Sequence, residues 1–147
     1  KTSSETLGAA LMEPTRIYQK AVKIALSTGG VSGIVHITGG GLIENPPRVY
    51  RKNICFRLDC ATLPLPGIFA WLRDTGKVSA TEIARTFNCG IGLIIFVRAE
   101  KVDNVLAALQ LGQEPDAKII GKLEERSGAR SVVLENLENW THSKWYD

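Results

Sequence analysis

Along the chain, Ile17, Ala21 and Ile24 fall on one helical face and Val22 and Ala25 widen it, so the spacing predicts a first helix over 14–28. Pro14 suits its opening turn, where the missing N–H goes unused, and Gly29 and Gly30 are placed to stop it. Residues 33–37 (GIVHI) are short, apolar and β-branched, which predicts a strand. Thr38 then leads into Gly39, Gly40 and Gly41, where side chains vanish and backbone can come close to a ligand. Pro46 and Pro47 interrupt the next stretch, and the alternation of Ile54, Phe56 and Leu58 predicts a second strand over 53–59.

Pro64 and Pro66 mark the entry to a helical segment carrying Ile68, Phe69 and Leu72, with Gly76 at its end. Ser79 and Glu82 have the spacing of a capping box, in which hydroxyl and carboxylate satisfy two orphaned N–H groups, so another helix is expected to start there. It runs into Asn88-Cys89-Gly90, after which Ile91 to Val97 is a nearly unbroken apolar run, as a strand buried on both faces requires. Val102, Val105, Leu106 and Leu109 form a helical stripe closed by Gly112, and 118–123 and 131–134 are two further strand candidates. Such alternation of helices and strands predicts an α/β fold, a layered sheet covered by helices.

With 147 residues the chain is long enough to bury a real core as one domain. Hydrophobic residues at 44% and charged residues at 22% are ordinary for a globular protein, and no segment nears the roughly 20 apolar residues that cross a bilayer, so no membrane partner is expected. The 18 basic and 15 acidic residues are interspersed, without the basic stripe that nucleic acid demands; no nucleic-acid partner is expected either. Cys55, Cys60 and Cys89 are odd in number and show no metal-ligand spacing with the two histidines, which points to a reducing cytosol and no metal site. Residues 1–13, which start without Met on a polar stretch, read as a linker from a missing amino-terminal domain. Residues 14–135 form the domain, and 136–147, with Trp140, Trp145 and Tyr146 but no clear periodicity, are expected to be a surface tail.

The strongest chemical signal is His36-Ile37-Thr38-Gly39-Gly40-Gly41, with Glu44 and Asn45 just beyond. A histidine at a strand end can give or take a proton near neutral pH, and consecutive glycines let backbone N–H groups converge on phosphate oxygens. Taken alone, the same run is also explained by a tight turn beside a core histidine. No G-x-x-x-x-G-K-[ST] occurs, and Gly90-Ile91-Gly92 lacks the third glycine of a dinucleotide fingerprint. Arg16, at the expected helix start, can pair with a phosphate or be a solvated arginine; Asn88 can cap a helix end or orient a ligand. Cys89 has no base nearby in sequence and reads better as a small buried residue than as a nucleophile, and His142 reads as exposed.

Together, Pro14-Thr15-Arg16-Ile17-Tyr18, His36-Ile37-Thr38-Gly39-Gly40-Gly41-Leu42-Ile43-Glu44-Asn45 and Arg85-Thr86-Phe87-Asn88-Cys89-Gly90-Ile91-Gly92 resemble the aminoimidazole ribonucleotide synthetase family. The likeness extends over residues 7–121, including Pro46, Arg48 and Phe69-x-Trp71-Leu72. It implies the carboxy-terminal domain of a cytoplasmic, homodimeric purine-pathway ligase, with a three-layer α/β/α mixed sheet of partial ferredoxin-like topology. It also implies an amino-terminal domain of the same enzyme that binds most of the ATP and magnesium. The reaction implied is the ATP-dependent cyclisation of formylglycinamidine ribonucleotide to aminoimidazole ribonucleotide. His36 would then act in catalysis, and Arg16, Thr38, Gly39, Gly40, Gly41, Asn45 and Asn88 would bind substrate or phosphate, with no metal ligand in this chain. Related ATP-using enzymes share the general design, and a ligand-sensing or oligomerisation domain without catalysis is the rival from another class.

Overall fold

A computed structural model describes residues 6–141. Its first element, α1 (Leu7–Leu11), lies in the expected linker; Thr6 Oγ1 caps it by accepting the Ala9 N–H at 3.2 Å, and it buries no residue. The helix expected over 14–28 begins later, as α2 (Gln19–Ser27), and Ile17 is 86% exposed and not on its core face. Periodicity could not see the tertiary contacts that hold 13–18 out of the helix: Arg16 pairs with Glu114, Lys20 with Gln113, and Tyr18 lies against Gly92. Within α2 the buried positions are Ala21 and Ala25, small enough for close packing on a second helix.

Strand β1 (Val31–His36) pairs antiparallel with β3 (Leu93–Val97), His36 opposite Leu93. One face of this ribbon receives α2 and α6 (Val102–Leu111), where Ala21, Ala25, Val105 and Leu109 pack with Val31, Ile95 and Val97. Val35, Ile94 and Phe96 point the other way into the main core. The apolar run predicted a strand covered on both faces, and β3 is one.

Strand β2 (Ile54–Asp59) is central in a second sheet, antiparallel to β4 (Gly121–Glu125) and parallel to β5 (Val132–Glu135). Arg57 on β2 reaches Glu124 of β4 and Glu135 of β5, both at 2.7 Å. Phe56 of β2 meets Phe96 of β3 edge to face, ring centroids 5.4 Å apart, and so joins the two sheets in one core. The α/β class and the mixed pairing are those expected, with the strands divided between two sheets.

Between β1 and β2 lies a single-turn helix, α3 (Gly41–Glu44); α4 (Gly67–Gly76) and α5 (Ala80–Thr86) follow β2. Half of the expected capping box forms: Ser79 Oγ accepts the Glu82 N–H at 3.2 Å, while the Glu82 carboxylate accepts from Arg85 at 2.7 Å. Ile83 and Ala84 of α5 are buried and press it onto the core below α3.

The surface tail expected over 136–147 needs correction as far as Thr141. Trp140 is 4% exposed, its indole N–H donates to the Leu63 carbonyl at 2.7 Å, and the Leu65 N–H donates to the Thr141 carbonyl at 2.8 Å. An aromatic anchor 77 residues from its partner in sequence leaves no periodic trace. Trp145, Tyr146 and His142 lie outside the described residues. Trp140→Phe, which keeps most of the bulk but strands the Leu63 carbonyl, is expected to lower unfolding stability by about 1–3 kcal/mol. Denaturant unfolding of the two proteins side by side measures the difference.

Candidate functional site

β1 delivers His36 at its carboxy-terminal end with the residue exposed, so its imidazole is open to solvent and not sealed in the core. Ile37, 1% exposed, sinks into the core and donates its N–H to the Gly92 carbonyl at 2.9 Å, which extends the β1–β3 pairing one step past the strand. Thr38 and Gly39 then turn outward. Buried Asn45 clamps them: its Oδ1 accepts the Thr38 N–H at 2.7 Å, and its Nδ2 donates to the Gly39 carbonyl at 3.0 Å. The Asn45 amide, expected to contact phosphate, is thus committed to shaping the loop.

The glycines serve different needs. Gly40 and Gly41 have φ of 99° and 53°, which side chains oppose, and a Cβ on Gly41 would meet the backbone carbonyl oxygens of Ala84 at 2.2 Å and Phe87 at 2.7 Å. Gly41 therefore lets α3 settle directly on the end of α5. Gly39 has no atom near its Cβ position and faces open space. Beside the loop, Arg85 bridges Glu82 at 2.7 Å and Glu44 at 3.8 Å, all three about half exposed.

The turn after α5 completes the edge. Asn88 Oδ1 accepts the Gly90 N–H at 2.9 Å and the Asn88 carbonyl accepts the Ile91 N–H at 2.9 Å, so the amide makes a local turn. Cys89 takes φ 53° and buries its thiol against the Ile83 and Phe87 carbonyls, both at 3.6 Å. Burial, with a smaller contribution from Cys60, pushes the Cys89 thiol up to about 12, and burial with help from Asp59 does the same for Cys60. A thiol held neutral inside the core is a packing residue and not a nucleophile.

Both thiols are expected to resist alkylation in the folded protein at neutral pH and to react once it is denatured; a thiol count with and without denaturant decides it. The sign of the linkage is also set. Above the ordinary value of 9.0 the unfolded chain releases these protons while the folded chain keeps them to about 12, so their contribution to stability is lost as pH rises through that interval.

Arg16 is not at a helix start, as expected, but in the extended approach to α2, where it pairs with Glu114 while half exposed. Both of those charges act on Tyr18, whose phenol is raised above its usual value chiefly by burial. Tyr18 is the neighbour of His36 to which the motifs assigned no role. Its ring packs edge on to the His36 imidazole, centroids 5.8 Å apart, and its hydroxyl stands 2.0 Å from where a Cβ on Gly92 would be. The signal was present as the tyrosine of P-T-R-I-Y and the second glycine of G-I-G. Among the described residues, no three or more His, Cys, Asp or Glu side chains gather where a metal ion could sit.

Three runs remote in sequence thus meet at one end of the β1–β3 ribbon: Tyr18 on His36 and Gly92, Ile37 on Gly92, and Gly41 on Ala84 to Phe87. The same chain matches, over residues 1–133, the family model described as AIR synthase related protein, C-terminal domain. The chain belongs to this family. It is 48% identical over 125 residues to phosphoribosylformylglycinamidine cyclo-ligase of an Exiguobacterium species, covering 85% of this chain and 36% of that protein. It is 46% identical over 140 residues to the trifunctional purine biosynthetic protein adenosine-3 of Drosophila pseudoobscura, covering 92% of the chain and 10% of the relative. With the human protein of the same description it shares 41% over 134 residues, 90% of the chain and 13% of the relative. The chain spans only about a tenth to a third of the length of these relatives.

Away from this edge lies an open cleft of about 610 Å³ lined by Arg73, Asp74, Lys77, Ser79, Glu138 and Trp140. It sits at the start of α5, whereas the glycine loop packs on the end of that helix. No helix of the described residues is long and apolar enough to cross a membrane.

Proposed function

We propose that this domain is the carboxy-terminal half of an ATP-dependent cyclo-ligase that converts formylglycinamidine ribonucleotide to aminoimidazole ribonucleotide in purine biosynthesis. The observation that carries the reading is the exposed His36 beside a loop locked by Asn45 and Gly41, at the point where all three family-like runs converge. An amino-terminal domain of the same enzyme supplies the opposite wall, and the resemblance extends the proposal to a homodimer working in the cytoplasm. ATP with magnesium, held mainly by that other domain, supplies the phosphoryl group that activates the formyl oxygen. Among the described residues no carboxylate cluster fits a magnesium site, so no ligand is assigned to the ion here.

The chain's own residues do the positioning and move the proton. With the Thr38 N–H committed to Asn45 and the Gly41 N–H to the Thr38 carbonyl, the backbone N–H groups of Gly39 and Gly40 are fitted to hold the substrate phosphate in a loop that needs no reorganisation on binding. Arg16 exchanges its Glu114 partner for an anionic substrate group, which its half exposure permits. Asn88 keeps the facing turn in shape through Gly90, and so orients the pocket wall. His36 takes the proton shed as the amidine nitrogen attacks the phosphorylated formyl carbon and inorganic phosphate departs with the former formyl oxygen, or steadies the charge that develops on that departing oxygen. Closure by the partner domain excludes water from the activated substrate.

Adding the missing amino-terminal domain to this chain and following ADP release with formylglycinamidine ribonucleotide tests the reading. Release that needs both halves and the substrate is expected. A folded, reassembled pair that releases no ADP would point to a related enzyme or to a regulatory role.

A further inference from the structure

We propose that Tyr18 is a positioning residue for His36 and that Gly92 is glycine to admit its ring, an inference that rests on the reading in which His36 acts at the substrate. The imidazole stands at the end of a strand and is exposed, so its ring torsion is set by few neighbours. The Tyr18 ring meets it edge to face at 5.8 Å and 65°, an arrangement that favours one imidazole orientation over others.

Tyr18 is itself held on three sides. Its hydroxyl end lies over Gly92, where a Cβ would stand 2.0 Å from the oxygen and 2.8 Å from Cζ; any side chain at that position expels the ring. Gly92 is in turn fixed by accepting the Ile37 N–H, one residue after His36. Two residues to either side, Arg16 pairs with Glu114 and Lys20 with Gln113, which ties the segment to the turn after α6. No local rule asks for a tyrosine here: Tyr18 sits at the amino-terminal cap of α2 but makes no side-chain capping bond. Its neighbours explain it through the ring, and the ring's outer contact is the imidazole.

The test uses the assembled two-domain enzyme at saturating substrate. Tyr18→Ala is expected to cost about tenfold in kcat with a smaller change in KM, since an imidazole free to rotate spends less time in the reactive geometry. Tyr18→Phe, which keeps the ring edge, restores kcat to within about twofold of the parent. Tyr18→Leu keeps apolar bulk over Gly92 without an aromatic edge, guards against loss of folding, and behaves as Tyr18→Ala. In the His36→Asn background, Tyr18→Leu has no further effect. Parent-like kcat in both Tyr18→Ala and Tyr18→Leu, or losses that multiply with His36→Asn, overturns this inference and leaves the site reading standing. Parent-like kcat in His36→Asn overturns both.

Discussion

Gly41→Ala is expected to lower the stability of the chain by about 2–5 kcal/mol, summing the cost of a left-handed non-glycine residue and of a buried overpacked atom. The collision is with backbone, the Ala84 carbonyl oxygen at 2.2 Å and the Phe87 carbonyl oxygen at 2.7 Å, so no rotamer change relieves it. Either α3 lifts from α5 or the loop leaves its φ of 53°, and in both cases the Thr38 and Gly39 bonds to Asn45 are strained. Gly39→Ala is the control: its Cβ would meet nothing within 4 Å, and its effect on unfolding should be well under 1 kcal/mol. Thermal or urea unfolding of the two variants should separate them clearly. Equal midpoints would mean that the loop does not rest on α5 as described.

His36→Asn is expected to lower kcat of the assembled enzyme by about a hundredfold or more, the usual scale for removing a proton-transfer group. Asparagine keeps a polar side chain of modest size at an exposed strand end, so folding should be spared. A fall in kcat with little change in KM would mark an interaction made in the transition state. If only KM changed, His36 would be a binding group.

What could be read from sequence was what depends on neighbours in sequence. The apolar run into Val97 implied burial on both faces, and Ser79 three residues before Glu82 implied a helix start; both follow from spacing alone. The three family-like runs were legible for the same reason. Their meeting point was not, because it depends on contacts such as Tyr18 with His36 and Gly41 with Ala84, set by the packing of separate elements. That packing also defeated local expectation at Ile17, which keeps helical spacing and yet is 86% exposed. Trp140 was misplaced for want of a visible partner, since Leu63, whose carbonyl accepts the indole N–H, lies far away in sequence. Asn45 was expected to bind substrate or phosphate, but its burial and its two bonds to Thr38 and Gly39 have it holding the loop.

The most direct measurement is a crystal structure of the assembled enzyme with a non-reactive analogue of formylglycinamidine ribonucleotide. On the proposed mechanism the His36 imidazole lies within hydrogen-bond reach of the reacting atoms, about 2.6–3.2 Å, and the 38–41 backbone lies against the substrate phosphate. An analogue bound elsewhere, with the glycine loop facing bulk solvent, would contradict it.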